Sequence, residues 1–139
     1  MASIKQLDGV AEVLANLKAR NEALALGCTR GLKTAGLMLQ RESQKIVPVD
    51  LGNLKASAFT RARGTGFATE VIVGYTAAYA LYVHESVGMV LKGQRRTGFG
   101  AKGKYWDPQS RAQAKFLEEP ARRLAPELVR IIKTNMTIV

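Results

Sequence analysis

Between Glu22 and Ile46 the residues Leu24, Cys28, Leu32, Ala35, Leu39 and Ile46 recur at helical spacing, with Arg30, Lys33, Arg41 and Lys45 elsewhere around the wheel. In a chain of 139 residues, an amphipathic helix of that length is one long wall that everything else must cover. Pro48 forbids its continuation, because proline lacks an N–H and its ring collides with the preceding turn. Ahead of it, Asp8 is placed to cap a helix carrying Val10, Val13, Leu14 and Leu17 on one face, and Asn21 offers a second cap, so two helices are expected before Pro48. Ser3 to Leu7 alternates weakly, as a short edge strand would. Gly27, Gly31 and Gly36 each cost a helix about 1 kcal/mol relative to alanine. The sequence leaves open whether they weaken the helix or admit a neighbouring backbone.

Beyond the helix, Pro48-Val49-Asp50-Leu51-Gly52-Asn53 reads as a tight turn into extended chain. Leu54 to Arg63 alternates as a half-buried strand, Gly64-Thr65-Gly66 turns it, and Thr69 to Tyr75 returns with Val71, Val73 and Tyr75 on one face, which makes a hairpin. Ala78 to His84 is expected as a strand from the alternation of Tyr79, Leu81 and Val83, although its alanines also suit a short helix. From Ser86 to Lys115 the period vanishes and Gly88, Gly93, Gly98, Gly100 and Gly103 break the chain, as in a long loop. Phe116 to about Asn135 is helical by the spacing of Leu117, Ala121, Leu124, Leu128 and Ile131. Pro120 is tolerable in the first turn, while Pro126 is expected to kink or split the helix. The expected fold is α+β in one domain, 1–139: a small antiparallel sheet against a long N-terminal helix and a C-terminal helix, with a long basic loop over 86–115.

A hydrophobic content of 47% with 23% charged residues excludes a wholly disordered chain. The net charge of +10 and a pI near 10.1 call for an anionic partner. Most of that excess lies in 86–115, which holds seven of the 21 basic residues against a single carboxylate, Asp107. Cys28 is the only cysteine, so a disulfide-stapled scaffold is excluded and a cytosolic origin is expected. The chain lacks the basic start and apolar run of a signal peptide, and no stretch approaches the roughly 20 apolar residues of a membrane span.

Gly98-Phe99-Gly100-Ala101-Lys102-Gly103-Lys104 satisfies the spacing of a phosphate-binding loop, but its setting fails. No Ser or Thr follows the lysine to hold magnesium, no buried strand precedes it, and Tyr105-Trp106-Asp107-Pro108 replaces the required helix. His84 beside Glu85 has no second imidazole to join it in metal binding, and a histidine at a sheet end or subunit contact accounts for it. Cys28 lies on the apolar stripe, where a thiol acts as a small hydrophobe. Glu118 and Glu119 favour the dipole of the last helix. No catalytic, cofactor-binding or metal-binding residue is assigned, and no enzyme is expected. The basic loop competes best for a role. Lys92, Arg95, Arg96, Phe99, Lys102, Lys104, Tyr105, Trp106 and Arg111, with Lys115 at its end, combine residue types suited to phosphate or to an acidic protein surface, and are the candidate contacts to a partner or to DNA. A solvated loop with no partner is the plainer alternative.

Three segments carry a resemblance: Ile46-Val47-Pro48-Val49-Asp50-Leu51-Gly52-Asn53-Leu54-Lys55-Ala56-Ser57; Val73-Gly74-Tyr75 followed by Tyr79-Ala80-Leu81-Tyr82-Val83-His84-Glu85; and Ala114-Lys115-Phe116-Leu117-Glu118-Glu119-Pro120-Ala121. In order and spacing they resemble the tail-completion and neck, or head-tail joining, family of lambda-like long-tailed bacteriophages. The chain departs from that pattern at Leu51, where the family usually has Thr, and at Ser86-Val87-Gly88, where Gly-Thr is common. Within the motif, Pro48, Asp50, Gly52, Leu54, Tyr79, Tyr82, Glu85, Phe116, Leu117 and Pro120 are expected to be architectural.

The resemblance implies a virion structural protein without cofactor, assembled in the host cytoplasm into a ring, commonly of six subunits, between the connector or stopper and the tail tube or tail-terminator. A tail-terminator ring capping the tube is the neighbouring alternative. A free, non-specific DNA-binding protein is the alternative that charge alone suggests.

Overall fold

The computed structural model describes residues 8–49, 52–86 and 112–137. Their order is α1 (Asp8–Ile46), α2 (Asn53–Ala56), β1 (Ala58–Arg63), a 3-10 turn (Gly66–Ala68), β2 (Glu70–Tyr75), α3 (Ala80–Glu85) and α4 (Glu118–Met136). This is an α+β fold: a two-stranded antiparallel sheet, with the long N-terminal helix packed on the C-terminal helix. The expected edge strand over Ser3 to Leu7 lies outside the described residues.

Helix α1 is a single element of 39 residues, about 58 Å long at 1.5 Å per residue. Asn21 does not restart it. An Asn side chain caps only where the backbone turns away; inside a run rich in Ala, Leu, Lys and Arg it costs well under about 1 kcal/mol and the helix continues. The helix ends at Ile46, and Pro48 is buried behind it.

Gly52 takes φ 84°, a left-handed conformation that glycine adopts without penalty, and turns the chain into α2. The strand expected from Leu54 therefore begins only at Ala58. Leu54 instead points from a helical turn into the core, 4% exposed. In the hairpin Phe59 lies opposite Gly74, Thr60 opposite Val73 and Ala62 opposite Val71. Its inner face rests on α1 at Gly36, where an added Cβ would come within 2.6 Å of Val71 and 3.0 Å of Thr60. Thr60 Oγ1 donates to Gln40 Oε1 at 2.6 Å, and Thr29 shares a 2.8 Å hydrogen bond with Thr69.

The segment expected as a third strand is α3. Ala80 and Val83, three apart, are its buried residues, so the helical period prevails over the alternation of Tyr79, Leu81 and Val83.

Helix α4 runs antiparallel to α1: Gly27 lies against Asn135 and Met136, Gly31 against Ile132, and Glu42 near Arg123. The glycines thus admit a backbone. A Cβ at Gly27 would stand 2.3 Å from the Asn135 carbonyl oxygen, and one at Gly31 2.8 Å from Ile132 Cα. The expected split at Pro126 does not occur; α4 is one element through Met136. Pro126 and Arg122 are both exposed, so the carbonyl left without its intrahelical donor faces water, which satisfies it. Phe116 and Leu117, expected as the first helical residues, precede α4 and pack inward.

The core gathers Val47, Leu54, Ala80, Val83 and Phe116, flanked by Ile46, Tyr75, Ala77 and Leu117. Each large side chain buried there contributes roughly 1.5–3 kcal/mol. Phe116 is its centre, 1% exposed, with the rings of Tyr75 and His84 both edge-on at 5.0 Å. Pro48, Pro120 and Ser43 are fully buried around it, and Ser43 Oγ shares a 2.6 Å hydrogen bond with Tyr75 Oη.

Candidate functional site

The structure ties together the two ends of segment 87–111. On the outgoing side α3 stops at Glu85, and Ser86 Oγ donates to the Tyr82 carbonyl at 2.6 Å. On the returning side the Gln113 N–H donates to the Ile46 carbonyl at 3.0 Å, and the Lys115 N–H to the His84 carbonyl at 2.8 Å. Lys115 has φ 57°, the one positive value outside glycine among the described residues. That backbone costs a non-glycine residue about 1–2 kcal/mol. It is held at both ends, since the Lys115 carbonyl also accepts the Glu119 N–H at 2.9 Å and so begins the hydrogen-bond ladder of α4.

Side chains complete this clasp. Lys115 Nζ lies 2.5 Å from Glu85 Oε2 and 3.1 Å from Glu118 Oε2. His84 Nδ1 meets Glu85 Oε1 at 2.8 Å, while its Nε2 accepts the Glu118 N–H at 3.3 Å. Since Nε2 accepts, the proton belongs on Nδ1, from which the ring donates to Glu85. The hydrogen bonds from Lys115 and then His84 hold the Glu85 carboxyl below the usual carboxylate range. Glu118 is lowered by Lys115 and by the charge of Arg122, and the Lys115 ammonium is raised by Glu85 and Glu118.

His84, Glu85 and Glu118 offer ligand atoms within 4.8 Å of one another. The ammonium of Lys115 already bridges both carboxylates, and both imidazole nitrogens are engaged. The cluster is built as an ion-pair knot around a resident cation.

Among the described residues, exposed apolar side chains cluster at two places, besides the scattered Leu26, Leu37, Phe67 and Val129. Val10, Val13, Leu14 and Leu17 occupy one face of α1, 46–60% exposed, and every described residue from Gly9 to Ala23 is exposed. At α3, its N-cap Tyr79 and the helical Leu81 and Tyr82 face outward at 49%, 73% and 68% exposure. Both are large enough in residue type to mark contact surfaces.

No family model, curated protein or solved structure matches the chain.

Of the residues singled out in the sequence, Lys92, Arg95, Arg96, Phe99, Lys102, Lys104, Tyr105, Trp106, Arg111 and Asp50 lie outside the described residues, as does the glycine-rich Gly98 to Lys104 run. Pro48, Leu54, Phe116 and Pro120 are buried, and Leu117 packs against the core. Tyr79 and Tyr82, expected as architectural, point to solvent, and Glu85 belongs to the clasp. Cys28 is half-buried on the inner face of α1. The clasp itself escaped the sequence reading, because Lys115 and Glu85 are thirty residues apart and only the fold unites them. The exposed arm of α1 escaped it too, since Val10 to Leu17 has the period of a core-facing helix and nothing in the sequence says that, among the described residues, burial along α1 begins only at Leu24.

Proposed function

We propose that this chain is a structural subunit of the neck or tail-completion ring of a long-tailed phage, joining the capsid connector to the tail, and that its activity is assembly rather than turnover. One observation carries the reading. The three segments that resemble the family supply the core together: Val47 and Leu54 from the first, Tyr75, Ala80 and Val83 from the second, Phe116 and Leu117 from the third. Residues that are distant in sequence and resemble one family are thus the residues that define one packing arrangement.

The outward faces of α1 and α3 support the same reading. A subunit that joins others head to tail needs two different surfaces, one for each neighbour. The basic residues of 86–115 suit non-specific phosphate contact with DNA in a lumen. A tail-terminator ring remains the neighbouring role, and a free DNA-binding protein the alternative from charge. The reading is tested by adding purified protein to tails and filled capsids made without it. Joined, infectious particles are the expected result. Tails and capsids that join equally well in its absence would overturn the assignment.

A further inference from the structure

We propose that His84 is a pH-sensitive cap on α4: the neutral imidazole holds the first turn of that helix, and the imidazolium lets it go. At the start of a helix the first amides lack intrahelical acceptors and must find others. Leu117, at the N-cap position of α4, makes no side-chain capping hydrogen bond. Of the amides that follow, Glu119 donates to the Lys115 carbonyl at 2.9 Å and Ala121 to the Leu117 carbonyl at 3.2 Å, while Pro120 has no N–H. The Glu118 N–H is left, and His84 of α3 takes it on Nε2 at 3.3 Å. A residue 34 positions upstream thus does for α4 what a Ser or Asp at its own N-cap would do.

The capping imidazole carries its proton on Nδ1, from which it donates to Glu85 Oε1 at 2.8 Å. A second proton would place an N–H on Nε2, aimed at the Glu118 N–H with 3.3 Å between the two nitrogens. Two donors cannot share that line, so the ring must turn away and the amide loses its acceptor. Charge acts in the same direction, since a cation beside the positive end of a helix is repelled. The groups around the ring are Glu85 on its own helix and Lys115 and Glu118 at the start of α4, with Arg122 on the other oxygen of Glu118. To the same core α1 brings Ile46 and β2 brings Tyr75, whose ring meets Phe116 as that of His84 does. Glu85 attracts an imidazolium, but it already accepts the Nδ1–H of the neutral ring and shares its charge with Lys115 on Oε2. Two carboxylates matched by Lys115 and Arg122 leave no unpaired anion for a further cation. Histidine side chains ordinarily change charge between about pH 5 and 8, above the range in which carboxylates lose theirs. Acidification through that range therefore uncaps α4 while Lys115 keeps Glu85 and Glu118 tied.

The cap works within one subunit, whatever that subunit assembles into. Its test is nuclear magnetic resonance of the full chain, labelled with nitrogen-15, from about pH 8 down to about pH 5, where the carboxylates are still charged. His84 is the only histidine, so its ring nitrogens report without ambiguity. At the upper end the proton is expected on Nδ1. As the ring gains its second proton, the protection of the Glu118 amide against hydrogen exchange, corrected for the intrinsic pH dependence, should fall on the order of tenfold, the worth of one hydrogen bond. The fall should share the midpoint of the ring titration, and the Glu119 amide, held by the Lys115 carbonyl, should lose less. His84→Gln supplies an acceptor that does not titrate, and should keep Glu118 protected across the range. His84→Phe supplies a ring without an acceptor, and should leave Glu118 poorly protected at every pH. A proton found on Nε2 at pH 8, Glu118 protection unchanged while His84 titrates, or a ring that stays neutral down to pH 5 would each overturn the proposal.

Discussion

Lys115 hands its backbone N–H to the carbonyl of His84 at 2.8 Å, and its side chain reaches Glu85, the residue next to that carbonyl. One residue thus secures both the backbone and the charge of α3 to the start of α4, at the root of a segment of 25 residues, 87–111.

The pH behaviour of this clasp follows from the direction of each shift. Glu85 and Glu118 are depressed, so their contribution is present at neutral pH and is lost as the pH falls through the carboxylate range, below about 4. Lys115 is raised, so its contribution is full below about 10.4 and is lost as the pH climbs beyond that. The stability difference between the natural chain and Lys115→Met should be flat from about pH 5 to 10, shrink on either side, and diminish in high salt because the groups are exposed. Thermal melts across pH and ionic strength check this.

Phe116 is the side chain whose loss the core tolerates least. Phe116→Ala should cost about 3–5 kcal/mol, since Tyr75 and His84 cannot both collapse into the vacated space. Phe116→Leu should cost distinctly less. Urea denaturation followed by circular dichroism measures both.

Glycines in α1 should respond with opposite signs. Gly31→Ala improves helix propensity by about 1 kcal/mol, yet its Cβ meets the backbone of Ile132 at 2.8 Å, so α4 must move and net destabilisation is expected. Gly9→Ala meets nothing within 4 Å and should be neutral or slightly stabilising. The same denaturation series distinguishes them.

How much of this was legible in the sequence depended on the range of the forces involved. The long helix, its end before Pro48, the hairpin face of Val71, Val73 and Tyr75, and the final helix all follow from local period and chain-breaking residues. Local rules failed where two were nearly balanced. Asn21 can cap or continue, and the six residues of α3 are too few for alternation to be distinguished from a helical turn. The helix continues through Pro126 without splitting, because the proline's cost depends on whether the freed carbonyl meets water, which is a matter of packing. The Lys115–Glu85 pair of the clasp and the packing of Gly27 and Gly31 on α4 join residues thirty to more than a hundred positions apart, and no local pattern encodes them.

Ser43 and Tyr75 provide an independent probe of the core. Burial raises the Tyr75 phenol above its usual value of 10.0, and the hydrogen bond from Ser43 partly offsets this. Ser43→Ala should therefore raise it further and lower stability by about 1 kcal/mol. Because a raised pKa means that the folded state holds the proton more tightly, the stability it confers is present below about pH 10 and declines above it. Alkaline titration by ultraviolet absorbance, in both chains, gives the comparison.

The measurement closest to the central claim is the mass of the purified chain by light scattering or native mass spectrometry over a range of concentrations, alone and then with isolated tails. A closed ring, or a monomer that becomes a ring on tails, is the expected result. A monomer that ignores tails and binds duplex DNA tightly, with affinity falling steeply as salt is raised, would contradict it.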